Sequence, residues 1–440
     1  MDVKTSNRPE TPFPSEVTQG QLMRDPLAGR PPSQTTRTLD SRSKSLPIER
    51  WLMRRALLAC GSPAIRIVLW DGETIVTSRE LPLGNVVVNN RGALRRLILD
   101  PRLGFGDGYS DGSLEIQGSL VDVLSAITLG LEKPGPGLFS RVLRRPRRRR
   151  SHSLTDSRES VHHHYDIGND FYRLWLDERM QYTCAYYARP HFTLEEAQLA
   201  KLDHVCRKLR LKAGERVVEA GCGWGGLALY MAQQYGVSVR AFNLSREQVA
   251  YARRGAEERG ISRQVEFVHD DYRNITGKYD AFISIGMLEH VGLDQFDELG
   301  RVLDRSLAPH GRGLIHSIGR NAPRPLDLWI DRRIFPGAYP PAISEMMRIF
   351  EPRGFSVLDV ENLRLHYART LEHWLERFER SAEQISAMFD ARFVRMWRMY
   401  LAGSIAAFLV GSLQLFQFVF SREKNNDVPW TREHLYPTGA

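Results

Sequence analysis

The chain has 440 residues, 42% of them apolar and 26% charged, which is a globular composition long enough for two domains. Its four cysteines lack Cys-x-x-Cys or Cys/His spacing, which excludes a disulfide framework and a zinc site, and no metal is predicted. The chain has neither a signal-peptide pattern nor a run of 18 apolar residues, so we predict a cytoplasmic protein. A net charge of +9 favours a polyanionic partner, either nucleic acid or an anionic lipid surface.

The first part of the chain divides into a polar segment and a small domain. Residues 1–45 are rich in Pro, Ser, Thr and Arg and are predicted to be disordered. Residues 46–131 are predicted to form a small α+β domain. Its predicted helices cover residues 51–60, 92–99 and 120–131, and its predicted strands cover 64–70, 75–77, 85–88 and 113–116. Because it lacks a cluster of His, Asp and Glu, we expect this domain to bind or position a ligand.

A linker rich in Pro, Gly and Arg is predicted over residues 132–160. Its stretch RVLRRPRRRR, residues 141–150, has seven arginines and no acid. Two interpretations are open: a solvated linker kept extended by repulsion, or a tether to anionic headgroups to which each arginine contributes about 1 kcal/mol.

A second domain is predicted over residues 161–423, followed by a tail at 424–440. It begins with an aromatic segment, residues 162–187, that lacks clean helical periodicity. This segment is either a lid over a pocket or a helical cap whose aromatic side chains only pack.

The stretch RVVEAGCGWGGLALYM, residues 216–231, predicts a strand, a glycine-rich turn and a helix. Such a turn lets a nucleotide-like ligand approach the backbone and the helix N–H groups. The glycine spacing from Gly221 also satisfies the dinucleotide pattern GxGxxG. A dinucleotide site needs an acid about 20 residues on, but the second strand ends in Asn243 and the acid is Glu219, before the glycines. This argues against NAD.

Strands and helices alternate after the turn, which predicts an α/β fold with a doubly wound parallel sheet. The predicted strands cover residues 237–242, 265–268, 279–285 and 312–318, and residues 245–248 form a predicted capping box. An insertion at 321–352 is either a wall of an apolar tunnel, a membrane-facing lip or only a long surface loop. The apolar stretch 401–413 is predicted to be a packed helix, and residues 413–421 an antiparallel edge strand.

Polar side chains follow several of these strands. Asn243, Asp271, Glu289 and His316 are expected to face one crevice, because ligands bind beyond the carboxyl ends of parallel strands. Each one alone is also explained as a turn residue, a helix start or a core histidine. Together they favour a ligand site.

Several longer motifs occur in a fixed order between residues 161 and 421. They are HYDIGNDFYRLWLD, MQYTCAYY, GCGWGGLA, SREQ, DDYR, ISIGMLEHVG, IHSIG, IFPG and HYARTLEHW. In these motifs the chain resembles the cyclopropane-fatty-acyl-phospholipid synthase family, which includes the mycolic acid cyclopropane synthases. Through LWDG and LGFGDGYSDGSLEIQG, residues 46–131 resemble the amino-terminal domain of that family. The resemblance implies a Rossmann-like methyltransferase sheet beside the small α+β domain, which would then bind or position lipid.

The resemblance also implies the reaction. The sulfonium methyl of S-adenosylmethionine would be transferred to the cis double bond of an unsaturated phospholipid acyl chain, and proton loss would close a cyclopropane ring. In the family a bound bicarbonate ion takes that proton. The matching motif positions imply that bicarbonate is held by Cys184, Glu289, His316, Ile318 and Tyr367. Among these, Cys184 and Ile318 are expected to contribute backbone contacts.

The resemblance implies a cofactor site as well. Its residues are Tyr182, Thr183, Gly221 and Gly223 toward the methionine end, Glu219 of the first motif, Asn243, Leu244 and Gln248 near the ribose, and Asp271 near the adenine.

The implied partners are a phospholipid with unsaturated chains and an anionic membrane surface, bound peripherally at the inner face of the membrane. A homodimer is an open option, and nucleic acid is not expected. A nucleic-acid methyltransferase is disfavoured because GMLE, residues 286–289, stands where amino-methylating enzymes have an Asp/Asn-Pro-Pro-aromatic run. Other open alternatives are a methyl-branched product without ring closure, another non-lipid acceptor, and a non-catalytic lipid-binding module.

Overall fold

The computed structural model describes residues 44–133 and 167–436 of the chain. The predicted disordered segment up to residue 43, the arginine run and the first residues of the aromatic segment lie outside the described residues, so they stay predictions. The described residues contain two β-sheets, one before and one after residues 134–166.

The first sheet has four strands and packs with four helices in residues 47–132. The strands are β1 Arg66–Leu69, β2 Thr74–Ile75, β3 Gly84–Val88 and β4 Leu114–Gly118, and the helices are α1 Pro47–Ala59, α2 Arg91–Leu99, α3 Pro101–Ser110 and α4 Leu120–Glu132. The sheet order is β2-β1-β3-β4, in which only β1 and β3 run parallel. Every element predicted for this region is present with shifted ends, and α3 is an addition.

Helix α3 escaped prediction because its sequence, PRLGFGDGYS, contains three glycines. The glycines allow close packing. A Cβ on Gly104 would lie 2.7 Å from the carbonyl oxygen of Arg96, and a Cβ on Gly106 would collide with the indole of Trp329. Tertiary contacts therefore override the low helix propensity of glycine.

The same helix joins the small domain to the second one. Asp107 Oδ1 accepts a hydrogen bond from Trp329 Nε1 at 3.1 Å, and its carboxylate lies 2.6 Å from the guanidinium of Arg333. The guanidinium of Arg395 lies 4.3 Å from the centre of the Tyr109 ring. These contacts fix the position of the small sheet relative to the second domain.

The second sheet has seven strands in the order β10-β11-β9-β8-β5-β6-β7. They are β5 Arg216–Ala220, β6 Ser238–Asn243, β7 Val265–His269, β8 Tyr279–Ile285, β9 Leu307–Gly319, β10 Phe355–Asn362 and β11 Gln414–Arg422. The strands from β9 to β7 run parallel. Val217 and Val218 on β5 belong to separate apolar clusters, because successive side chains point to opposite faces. The predicted doubly wound α/β fold is confirmed.

Helices cover this sheet. They are α5 Asn169–Arg173, α6 Leu194–Lys208, α7 Gly226–Tyr235, α8 Arg246–Glu258, α9 Leu288–Val291, α10 Phe296–Ser306, α11 Leu328–Arg333, α12 Ile343–Phe350, α13 Arg364–Arg380, α14 Ala382–Met388 and α15 Ala391–Leu409. The predicted packed helix at 401–413 is confirmed over residues 401–409, which form the second half of α15, while residues 410–413 lie beyond its end. Across the two described ranges, no helix combines the length and apolar character needed to cross a membrane.

The prediction that the last strand forms the edge of the sheet is wrong. β11 pairs with β9 on one side and β10 on the other, and residues 414–421 are buried. β10 forms this edge of the sheet. Charged residues such as Glu361 interrupt its apolar pattern, so the sequence analysis did not predict a strand there. Glu361 lies 2.6 Å from Lys208 Nζ and 2.8 Å from His204 Nε2 of α6. These contacts compensate the charges that interrupt its apolar pattern.

The aromatic segment is packed in its described part, from residue 167. Phe171 and Tyr172 are fully buried. Their ring centres each lie 5.0 Å from a tryptophan ring, Trp397 for Phe171 and Trp224 for Tyr172. These side chains therefore support the packing interpretation, although Tyr182 farther along reaches the cavity described below.

Candidate active site

The glycine-rich turn joins β5 to α7. Gly221 and Gly225 have φ angles of +83° and +82°, which glycine adopts without strain. A Cβ on Gly225 would lie 2.7 Å from the Phe267 ring, whereas a Cβ on Gly223 would meet nothing within 4 Å. The turn is therefore pressed against the protein at Gly225 and open at Gly223, where a ligand can approach the backbone.

Glu219 lies in β5 behind this turn. Its side chain is buried, and its Oε2 has no hydrogen-bond partner in the described chain. Burial raises the pKa of Glu219 to about 7, against the influence of the Lys201 ammonium. Burial also lowers the pKa of Lys201 to about 8. An unpartnered buried oxygen behind an open turn fits a ligand that brings a hydrogen-bond donor, such as the ammonium group of a methionine moiety.

Side chains at the end of β6 hold the turn. Asn243 Nδ2 donates to the carbonyl oxygen of Gly223 at 3.0 Å and to Gln248 Oε1 at 2.8 Å. The predicted capping box is therefore half formed: Ser245 Oγ accepts from the Gln248 N–H, but the Gln248 side chain binds Asn243. The carbonyl oxygen of Leu244 is hydrogen-bonded at 3.0 Å by a histidine of β7. Of the three residues predicted near the ribose, Asn243 and Gln248 are hydrogen-bonded to each other, and Leu244 is bonded separately to β7.

Asp271, predicted near the adenine, follows β7 and is buried. Its Oδ1 lies 2.8 Å from Arg273 Nε and its Oδ2 lies 3.0 Å from Arg273 Nη2. The carboxylate also accepts the backbone N–H of Arg273 at 2.9 Å. The structure therefore uses Asp271 to hold the loop after β7, and its contact with a cofactor stays a prediction.

A cavity of about 560 Å³ is lined by residues of both domains. The small domain contributes apolar side chains such as Met53, Leu57, Ile67, Val86, Phe105 and Leu124. The predicted site residues that line it are Tyr182, Thr183, Glu289, His316, Ile318 and Tyr367. The predicted site residues that do not line it are Cys184, Glu219, Gly221, Gly223, Asn243, Leu244, Gln248 and Asp271. Of the four side chains expected at one crevice, the cavity brings together Glu289 and His316.

Glu289 lies on the one-turn helix α9. Its Oε1 accepts the backbone N–H of Ile318 at 2.6 Å, and its Oε2 has no hydrogen-bond partner in the described ranges. Burial raises the pKa of Glu289 to about 7, and hydrogen bonds from the backbone and from Ser317 oppose this shift. The group can therefore hold or release a proton near neutral pH.

His316 lies on β9, two residues before Ile318. Its Nδ1 lies 3.0 Å from Nε2 of Gln417 on the neighbouring strand β11. Because an amide nitrogen only donates, Nδ1 accepts and Nε2 carries the proton. Burial lowers the pKa of His316 to about 3, and the charges of two lysines add to this. His316 is therefore a neutral donor, oriented by a glutamine that the sequence analysis missed.

Aromatic rings surround this polar pair. Tyr182 and Tyr400 line the cavity with their hydroxyl oxygens 2.8 Å apart. The ring centre of Phe335 lies 5.5 Å from that of Tyr400, and the ring centre of Tyr367 lies 4.7 Å from that of Phe408. All five rings line the same cavity. Their faces can stabilise a positive charge.

Two polar residues of α6 hold the segment that carries Tyr182. Gln198 Nε2 donates to the carbonyl oxygen of Thr183 at 2.8 Å, and Lys201 Nζ donates to Thr183 Oγ1 at 2.9 Å. Cys184 is fully buried, its Sγ lies 3.1 Å from the carbonyl oxygen of Ala185, and burial raises the pKa of its thiol. The thiol is therefore unsuited to act as a nucleophile. The sequence signal for Gln198 and Lys201 was their i, i+3 spacing, which places both on one helix face.

The turn and the cavity meet at the end of β8. Gly286 lines the cavity, and a Cβ on it would lie 3.1 Å from the side chain of Thr183. The next residue, Met287, lies against the glycine turn, since a Cβ on Gly221 would come within 3.0 Å of it. The two consecutive residues after β8, Gly286 and Met287, therefore connect the cavity to the glycine turn.

A glycine turn after the first parallel strand, an acid behind it and an antiparallel strand pair at one end of the sheet define an S-adenosylmethionine-dependent methyltransferase. The chain belongs to the mycolic acid cyclopropane synthetase family, whose family model matches residues 152–418. A second family model, described as a domain of unknown function, matches residues 53–130.

Similar proteins are known by sequence and by structure. A probable fatty acid methyltransferase of Pseudomonas putida is 36% identical over 383 residues, which cover 84% of this chain and 96% of that protein. The cyclopropane-fatty-acyl-phospholipid synthase of Escherichia coli K12 is 37% identical over 345 residues, covering 78% and 89%. The structure of mycolic acid cyclopropane synthase CmaA1 complexed with SAH and CTAB matches with a TM-score of 0.57 and 30% identity, covering 60% of this chain and 98% of that one.

Proposed function

We propose that this chain transfers a methylene group from S-adenosylmethionine to the cis double bond of an unsaturated phospholipid acyl chain and closes a cyclopropane ring. The observation that carries the proposal is the cavity, which has apolar walls from both domains and the polar pair Glu289 and His316. An acyl chain fits such walls, because burying its methylene groups stabilises it by about 0.8 kcal/mol each.

The cavity also supplies what the chemistry of an alkene requires. An alkene is a weak nucleophile, so the site must orient it toward the methyl donor and exclude water. The apolar walls exclude water, and the rings of Tyr182, Tyr367 and Tyr400 present faces that stabilise the carbocation without trapping it.

The glycine turn and its surroundings fit S-adenosylmethionine. The open backbone at Gly223 and the unpartnered Oε2 of Glu219 would hold its methionine end, with Tyr182 and Thr183 on the cavity side. Asn243, Leu244 and Gln248 are the proposed ribose contacts. When bound, the cofactor supplies an electrophilic methyl group. The chain's own residues orient the acyl chain toward it.

The polar pair fits a bicarbonate ion. The unpartnered Oε2 of Glu289 can accept a hydrogen bond, and Nε2 of His316 can donate one. Tyr367 lines the same space and would add a hydroxyl group, while Cys184 and Ile318 would add backbone contacts. When bound, bicarbonate supplies a base for the departing proton.

The outer face of α1 supports peripheral attachment to an anionic membrane. Its exposed side includes the apolar residues Ile48, Trp51 and Leu58 together with Arg54 and Arg55. An apolar stripe beside basic residues is typical of helices that lie on membranes. The opposite face of the same helix lines the cavity. An acyl chain would therefore travel a short distance from the bilayer to the site.

A second candidate function is transfer of the methyl group without ring closure, which gives a methyl-branched unsaturated chain. It is favoured by the name of one relative, a probable fatty acid methyltransferase. The two reactions share every step up to proton loss.

Mass spectrometry after mild hydrogenation tests both functions. Phospholipid vesicles with cis-unsaturated chains are incubated with the protein and S-adenosylmethionine, and bicarbonate is varied. A gain of one CH₂ that then resists hydrogen supports cyclopropanation. A gain that still takes up hydrogen replaces it by the branched product, and no gain contradicts both.

A further inference from the structure

The cavity holds a second polar group besides Glu289 and His316. Arg102, Arg320 and Arg324 line it together with Glu132 and Asp327. Three arginines against two acids leave this group with a formal charge of +1. These five residues belong neither to the glycine turn nor to the polar pair.

Arg320 directly follows β9, the strand that also carries His316. His316, Ile318 and Arg320 all line the cavity, because alternate residues of a strand point to one side. The backbone of Arg320 is held in extended form, since its N–H donates to the carbonyl oxygen of Pro341 at 2.9 Å. At about 3.3 Å per residue, Arg320 lies about 13 Å along the strand from His316.

Arg320 is buried, and its guanidinium forms no ion pair within the described residues; the carboxylates of Asp327 and Glu132 act on it only from a greater distance. Its residue is 6% exposed, and its Nε has no hydrogen-bond partner among the described residues. In the same ranges no carboxylate lies within 4.0 Å of its guanidinium. Burial lowers the pKa of Arg320 to about 10. A buried, unpaired guanidinium is costly, which makes a bound anion a strong stabilising partner.

Arg324, Glu132 and Asp327 beside Arg320 already have partners. Arg324 lies 3.5 Å from Glu132 and donates to the carbonyl oxygen of Ser412 at 2.7 Å. Asp327 lines the cavity and caps α11, because its Oδ1 accepts the backbone N–H of Trp329 at 2.9 Å. Arg320 is therefore the buried arginine of this group that has no ion pair among the described residues.

We propose that Arg320, with Arg324 beside it, binds the phosphodiester of the phospholipid substrate. This rests on the proposed function, since it assigns the headgroup end of that substrate. A guanidinium matches two phosphate oxygens in one plane, and the apolar walls between Arg320 and His316 lead from the phosphate to the reacting double bond.

The test compares two lipids in mixed micelles: a dioleoyl phosphatidylglycerol and the diacylglycerol with the same chains but no phosphate. Arg320→Met should lower the ratio of kcat/KM for the phospholipid to that for the diacylglycerol by about 10- to 100-fold. Arg332→Gln removes an exposed arginine of α11 outside the cavity and should leave the ratio unchanged. An unchanged ratio in Arg320→Met overturns the headgroup site. If the wild-type protein methylates neither lipid, the proposed function fails instead.

A binding experiment without cofactor separates the remaining outcomes. Dihexanoyl phosphatidylglycerol and inorganic phosphate are each titrated into the wild-type protein and into Arg320→Met in a calorimeter. Loss of lipid binding in the variant, with wild-type unfolding temperature or higher, supports the proposal. Loss of phosphate binding alone, with lipid binding kept, overturns it in favour of a free-anion site. A markedly lower unfolding temperature with an unchanged lipid ratio assigns Arg320 a structural role.

Discussion

Two buried glutamates allow the cofactor turn and the cavity to be compared directly. Burial raises the pKa of both Glu219 and Glu289 to about 7, and each has an Oε2 without a partner in the described chain. The ammonium of Lys201 acts on Glu219. Glu289 forms no ion pair within the described ranges and is held by the backbone N–H of Ile318.

The difference concerns how each site is assembled. The turn and its acid come from one short stretch of chain, residues 216–226, whose local geometry glycine determines. The cavity needs α1, β9, α13 and α15, which are far apart in sequence. We therefore expect mutations at the turn to change cofactor binding and mutations at the cavity to change lipid turnover, with little overlap.

The largest expected effect is that of Glu289→Gln. The amide can keep the hydrogen bond from Ile318, but it presents an N–H₂ group where the proposed ion needs an acceptor. Turnover should fall by about 10²- to 10⁴-fold, with S-adenosylmethionine affinity nearly unchanged. Turnover is measured by methyl incorporation and affinity by calorimetry. Loss of cofactor affinity alone would contradict the expected separation between the glycine turn and the cavity. Glu298→Gln on the outer side of α10 is the control.

The second prediction concerns stability and pH. The pKa of Glu289 is about 7 in the folded chain and about 4.3 when unfolded, so the folded state binds more protons between these values and stability falls as pH rises through this window. Glu289→Gln removes this loss. The variant should gain on the order of 3 kcal/mol, as an upper limit, relative to the wild type between pH 4 and pH 8.

Denaturant unfolding at both pH values measures this gain. Glu219→Gln should gain less, because it leaves Lys201 buried with one carboxylate fewer nearby. Equal gains in the free energy of unfolding for the two variants would contradict the expected difference between Glu219 and Glu289.

The third prediction is the cofactor counterpart of the first. Glu219→Gln replaces one carboxylate oxygen by an NH₂ donor and removes the negative charge proposed to face the ammonium of the methionine end, so S-adenosylmethionine should bind about 10- to 100-fold more weakly. Calorimetry measures the affinity, and binding of a phospholipid without cofactor should stay as in the wild type. A larger loss of lipid binding than of cofactor binding would show that Glu219 serves the cavity.

The smallest expected effect lies at the contact between the domains. Asp107→Asn weakens the ion pair with the half-exposed Arg333, so the KM for phospholipid should rise by no more than about fivefold, with cofactor affinity unchanged. Asp111→Asn is the matched control, because its ion pair with Arg96 lies within the small domain. An equal rise in the KM for phospholipid in both variants would show that the contact between the domains does not affect lipid binding.

The sequence by itself determined the elements that local chemistry controls. The strand, turn and helix of residues 216–235 follow from the glycines and the apolar pattern, and the alternation after them predicted the parallel sheet. The longer motifs led to the family, which the family model confirms. Each of these signals lies within one short stretch, so no distant partner is needed to recognise it.

Only the tertiary structure decided which distant residues meet. Gly106 of helix α3 packs against Trp329, and Glu361 of the edge strand β10 pairs with His204 and Lys208 of α6. The partnership of His316 with Gln417 depends on the register of β9 and β11, and the isolation of Arg320 depends on which carboxylates do not reach it. Such contacts join residues up to hundreds of positions apart, and their energies depend on burial, which a sequence pattern does not specify.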